Sequence, residues 1–160
     1  MEAIKAFQYP FDSKLILGQA VMLRDQLLDS LDNPVDIRIA LLAGSTVDQY
    51  TKILELFLLS HQIRPVFYES GYGRYYEEAV FENEELRSFK PDIALIHTSS
   101  RNIATFPQTS NDALVISDIL ESELAKYEEI WSSLTNSYSC SIIQNNFELL
   151  SNRPLGNLDA

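Results

Sequence analysis

Two residues in this chain have the type and the setting for covalent chemistry, Ser45 and His97. Ser45 stands where an apolar run, residues 37–43, stops at Gly44-Ser45-Thr46 and a helical pattern begins. A serine on such a strand-to-helix turn can act as a nucleophile, with the first N–H groups of the helix stabilising an oxyanion. It then needs a base. His61 falls at the far end of the following helix, about 20 Å away at roughly 1.5 Å per residue. His97 closes a later strand and reaches the same sheet edge as Ser45. The simpler account of Ser45 needs nothing else from the chain: Ser45 or Thr46 is the helix N-cap, with Asp48 or Gln49 completing a capping box.

Around this pair, Gly44, Thr46, Arg74, Arg101 and Asn102 form the candidate binding set. Asn102 could donate to an oxyanion, and Arg101 could hold a carboxylate or phosphate. The competing reading is a loop whose polar groups satisfy their own backbone. Gly71-Tyr72-Gly73-Arg74-Tyr75-Tyr76 ends another strand at the same rim. Its two glycines do not match a phosphate-loop or dinucleotide pattern. Tyr72, Tyr75 and Tyr76 are candidate interface anchors. One cysteine and two distant histidines do not make a zinc site, so neither metal nor cofactor is expected. Cys140 sits in an apolar run, and a small core residue describes it better than a nucleophile.

The elements that must position these residues follow from hydrophobic spacing. Residues 1–12 read as an arm pinned by Phe7, Tyr9 and Phe11. A helix from Ser13 places Ile16, Ala20, Leu23, Leu27 and Leu31 on one face and ends at Asn33-Pro34, packing across the sheet or against a neighbouring domain. Strands are expected at 37–43, 63–69, 92–98 and 139–144. The first helix between them, from Val47 to about His61, buries Val47, Tyr50, Leu54, Phe57 and Leu58. A helical or irregular stretch runs to Lys90. The last helix, from about Asp112 to Leu134, buries Ile116, Leu120, Leu124, Tyr127, Trp131 and Leu134. Strands alternating with helices predict a three-layer α/β/α domain with a mainly parallel sheet, SGNH-like or flavodoxin-like, preceded by an N-terminal helix. The expected division is an arm and helix over 1–36 and the α/β domain over 37–160. The abrupt ending predicts a domain incomplete at its C-terminus, a piece of something longer.

Bulk numbers narrow the classes. The net charge is −11, from 23 acidic and 12 basic residues. That argues against a nucleic-acid binder and against docking on anionic lipid. The acids of 77–85 and 121–129 read as solvated helix faces. No stretch approaches the roughly 20 apolar residues of a membrane span, and the start lacks a signal layout. With no disulfide possible, a reducing cytoplasm is the expected setting.

Four segments in order, LAGSTVD (42–48), FYESGYGRYY (67–76), FKPDIALIHTS (89–99) and IIQNNFELLSNRPLGNLDA (142–160), resemble the N-terminal domain of the FkbH-like family. That resemblance implies an SGNH-hydrolase-like α/β domain fused to a C-terminal haloacid-dehalogenase-type domain. The second domain is associated with dephosphorylating a phosphoglyceryl donor and delivering the glyceryl unit to an acyl carrier protein. The implied partners are therefore the dehalogenase-type domain or an acyl carrier protein. The SGNH motif Gly-Asp-Ser appears here as Gly44-Ser45-Thr46, without the aspartate. Asn102 lies where an oxyanion asparagine would fall, and the Asp-x-x-His that supplies the base has no counterpart. The expectation is an accessory, non-catalytic domain of a phosphatase or glyceryl transferase. The alternative is a small esterase using Ser45 and His97.

Overall fold

Five consecutive residues of the first strand, Ile39 to Ala43, are buried, as only a strand covered on both faces can be. This strand, β1 (Val35–Ala43), lies inside a four-stranded, all-parallel sheet with β2 (Ile63–Glu69), β3 (Ile93–His97) and β4 (Ser141–Gln144) in the order β2-β1-β3-β4. The computed structural model describes residues 2–81 and 83–148. Most of the 142–160 segment therefore lies outside the described residues.

The helices form three groups. In the N-terminal group, α1 (Glu2–Lys5), α2 (Ser13–Gly18) and α3 (Ala20–Asp29) pack together and onto α4 (Asp48–Ser60). On the opposite sheet face lie α5 (Tyr75–Val80), α6 (Glu84–Phe89) and α7 (Ala113–Tyr138). The result is a parallel sheet between helical layers, the three-layer α/β/α architecture, with the N-terminal helices stacked outside α4. One sheet face buries Ile39, Leu41 and Leu95 under α4; the other buries Leu42, Ala94 and Ile96 against Ala79, Ile130 and Leu134. Full burial of each such leucine or isoleucine contributes about 1.5–3 kcal/mol.

Three packing expectations are corrected. The helix expected from Ser13 is two helices, broken at Gln19 just after Gly18, a poor helix former. It packs on α4 and not across the sheet. Because α4 is covered on both sides, Leu54 and Leu58 meet the sheet while Leu56 and Leu59 meet the N-terminal layer. Tyr50, expected inside, is 41% exposed. Phe7 and Phe11 each meet Phe57 edge-on at 5.1 Å, so two of the three arm aromatics are anchors, while Tyr9 points outward.

The third correction concerns α7. Of its six expected core residues, Tyr127 and Leu134 are buried, joined by Ile130, whereas Leu120 and Leu124 are 61% and 51% exposed. The reason is length. A helix of 26 residues spans about 39 Å, and the five-residue strand before it about 17 Å. A crossover helix runs antiparallel to its strands, so the N-terminal half of α7 overshoots the sheet at its carboxyl edge.

Candidate functional site

Strand order reverses at β1: the chain leaves it for β2 on one side and returns to β3 on the other. Ligand sites of open α/β sheets lie outside the carboxyl ends of the strands at such a switch. Here the loops after β1 and β3 meet there, and the structure shows how they are held. The Gly44 N–H donates to the His97 carbonyl at 2.9 Å, and the Asn102 amide donates to the Gly44 carbonyl at 3.1 Å. A Cβ on residue 44 would lie 2.2 Å from the Asn102 Nδ2, so the close approach requires glycine.

Asn102 ends the 3-10 turn Ser100–Asn102. Its amide oxygen accepts from the Ser99 N–H at 2.9 Å, forming a capping box with Ser99, and its carbonyl accepts from Lys126 Nζ at 3.0 Å. The asparagine thus bridges two loops. Lys126, which sequence spacing did not single out, lies over the rings of Tyr75 and Tyr127 at 5.4 and 5.3 Å. Burial alone would lower the pKa of its ammonium; hydrogen bonding to Tyr75 and Glu123 outweighs this and leaves it raised.

Ser45 and Thr46 are both exposed. Neither is the helix cap: Val47 occupies that position, and its side chain makes no capping hydrogen bond. The cap reading is therefore corrected, because the tight turn after Gly44 carries the chain one residue further before helical geometry begins. His97 follows Ile93 and Leu95 by strand alternation onto the α4 face. It stacks on Tyr50, with ring centroids 4.9 Å apart and planes 14° from parallel. Among the described residues, neither the Ser45 hydroxyl nor the His97 ring has a hydrogen-bond partner. The two share one edge of the sheet without being linked.

Arg74 lies further along the rim, after β2. Gly73 at φ +70° makes its turn, and the Arg74 guanidinium is 3.8 Å from Glu78. Glu78 is only 5% exposed, an exception within the acidic run 77–85, whose residues are expected mostly on exposed helix faces. Its carboxylate accepts from the Tyr68 hydroxyl at 2.6 Å and from the Gly71 N–H at 3.0 Å. Burial, then the bond to Glu78, push the Tyr68 hydroxyl up to about 12. Tyr75 is buried beside this network and Tyr76 bonds to Glu129, leaving Tyr72 as the exposed tyrosine of the three expected anchors.

On the other side, Arg101 is exposed, and its neighbour Ser100 is buried. Ser100 donates to the Glu148 carboxylate through its hydroxyl at 2.7 Å and its N–H at 3.1 Å, and these bonds, with the Arg101 charge, lower the Glu148 pKa. The Asn145 side chain exchanges two bonds with the Thr98 backbone, extending the ladder of β3 and β4 by one rung. Glu148, Asn145, Glu78 and Lys126 carry no local pattern that separates them from other surface residues.

The structure thus brings Gly44, Asn102 and the His97 backbone into contact, sets Ser45 and Thr46 beside them, and places Arg74 and Arg101 on either flank. Among the described residues no group of three or more histidine, cysteine or acidic side chains is placed to hold a metal ion, and no helix is long and apolar enough to cross a membrane.

Fold and rim together define an α/β domain with a parallel sheet and a switch-point edge. Neither a protein-family model nor a curated protein matches the sequence. Among solved structures, the chain is similar to the N-terminal part of the protein BF1531 from Bacteroides fragilis, which contains a phosphatase domain and was crystallised with Mg. The TM-score is 0.63 at 12% identity, and the match covers 83% of this chain and 35% of that one. At that identity the likeness is one of fold, and this chain spans about a third of the neighbour's length.

Proposed function

We propose that this is an accessory, non-catalytic α/β domain of an FkbH-like phosphatase or glyceryl transferase. Its switch-point rim of Ser45, Arg74, Arg101 and Asn102 positions a dehalogenase-type domain, an acyl carrier protein or a phosphorylated donor. The observation that carries this reading is the use made of the polar groups. Asn102 spends its side chain on Gly44 and Ser99, and among the described residues Ser45 has no hydrogen-bonded base. A nucleophilic serine without its base loses most of its rate enhancement. The fold likeness to a phosphatase-containing protein supports the same assignment.

One observation favours the esterase alternative: the Ser45 hydroxyl is exposed and not consumed in capping. Intact-mass analysis after treatment with a broad serine-reactive fluorophosphonate separates the two. The accessory reading expects no adduct on the folded chain. A stoichiometric adduct that disappears in Ser45→Ala overturns it in favour of a hydrolase with His97 as base.

A further inference from the structure

The overhanging half of α7 presents a surface that the rim does not use. Residues 113–126 extend for about 21 Å and include no buried side chain. Yet Ile116, Leu120 and Leu124 continue, at spacings of four, the stripe that Tyr127, Trp131 and Leu134 bury further along. A helical stripe that the described residues leave uncovered in this way marks a docking surface. Opposite it stand Phe106 and Pro107 from the loop after β3 and Phe147 from the chain after β4. Between these walls runs a cleft of about 620 Å³, with Tyr127 and Trp131 in its lining.

The charges around the cleft identify the occupant. Between Ile103 and Ala125 there are four acidic residues, Asp112, Asp118, Glu121 and Glu123, and no basic one. By helical periodicity Glu121 and Glu128 flank the stripe on one side, and Glu123 lines the cleft on the other. The nearest lysine on the helix, Lys126, is bonded to Glu123 and to the Asn102 carbonyl. A second copy of this chain would set these acids against their like. A neutral ligand would leave Glu121 and Glu128 without counter-charge, Glu123 having Lys126.

We propose that this cleft is the docking groove for a basic amphipathic helix of a partner protein, with apolar anchors entering between α7 and Phe147 and lysines or arginines meeting Glu121 and Glu128. This is helix-in-groove recognition, with affinity from the anchors and orientation from the charges. It does not depend on what the rim binds.

Trp131 is the single tryptophan of the chain, and its indole N–H donates to Gln144 at 2.6 Å within the cleft. Its emission therefore reports occupancy directly. The full chain is titrated with an amphipathic leucine–lysine peptide of about four helical turns, and with a leucine–glutamate peptide of the same pattern. The proposal expects saturable binding of the lysine peptide with a change in Trp131 emission. It also expects at least about tenfold weaker binding to Leu120→Asp/Leu124→Asp. Because that variant adds negative charge, non-specific attraction would strengthen and not weaken. Both leucines are exposed, so the fold is expected to persist; Glu121→Lys/Glu128→Lys, which leaves the apolar wall intact, is expected to reverse the peptide preference. No binding of the lysine peptide, equal binding of both peptides, or a preference unchanged by charge reversal overturns the proposal. So does a dimer in sedimentation that Leu120→Asp/Leu124→Asp dissolves, since a second copy would then be the occupant.

Discussion

Tyr127, Ile130 and Leu134 of α7 sit in one buried cluster with Leu42, Ala94 and Ile96, whereas Leu120 and Leu124 carry the same apolar spacing into solvent. The two halves share a pattern and differ in cover. Periodicity determines which face of a helix is apolar; how far that face is buried depends on the length of the sheet beneath it. The rim adds a contrast of its own. Polar side chains around Gly44 and Glu78 are tied to backbone and to each other, while those around Ser45 and His97 are not.

The comparison within α7 breaks most visibly by truncation. Leu134→Ala in the sealed half is expected to cost about 2–5 kcal/mol, and Leu120→Ala in the open half no more than about 0.5 kcal/mol, both read from urea unfolding midpoints. Equal losses would mean that the overhang is packed after all.

At the rim, Gly44→Ala drives a methyl into Asn102 and is expected to destabilise by about 1–3 kcal/mol. Combined with Asn102→Ala, which removes the obstruction, the loss is expected to fall short of the sum of the single losses by at least about 0.5 kcal/mol. Additive losses in that double-mutant cycle would separate the two residues. Glu78→Ala leaves the Tyr68 hydroxyl and the Gly71 N–H without their acceptor and is expected to cost about 1–3 kcal/mol.

The same network has a pH signature. Tyr68 keeps its proton to about 12 in the folded chain, against about 10 in an unfolded one. Between those values the native state holds the extra proton, so stability falls as pH rises through that window. Absorbance titration near the tyrosinate band should show a late-titrating component that Glu78→Ala moves earlier.

Smallest of all is the effect at Glu148. Its pKa is lowered by Ser100, so its contribution is present above the ordinary carboxylate value and fades as pH falls through the lowered one. Glu148→Gln should lower the neutral plateau of a stability–pH curve slightly and flatten its acid limb, leaving the acid end unchanged.

Elements with strong periodicity were legible in the chain alone. Residues 37–43 and 63–69 read as strands, and the alternation of strands and helices implied the parallel sheet that β2-β1-β3-β4 realises. The last helix starts where its pattern does: the Asp112 carboxylate caps α7, accepting from the Val115 N–H at 3.0 Å. Burial pushes the Cys140 thiol up, in line with its reading as a packing residue. The cap at Ser45 was misread because a capping box is a local pattern, and the helix start here is set by how Gly44 is pinned between His97 and Asn102.

By itself the sequence determined the order and type of the elements, the apolar faces, and the placement of Ser45, His97, Arg101 and Asn102 at one sheet edge. Backbone propensity and side-chain alternation act over a few residues, and a sequence displays them directly. Only the tertiary structure decided that Asn102 is a bridge, that Glu78 is buried among similar acids, that Lys126 supports the rim, and that the described residues leave half of α7 uncovered. Each of these depends on residues far apart in the chain meeting at one distance, and local spacing carries no record of that distance.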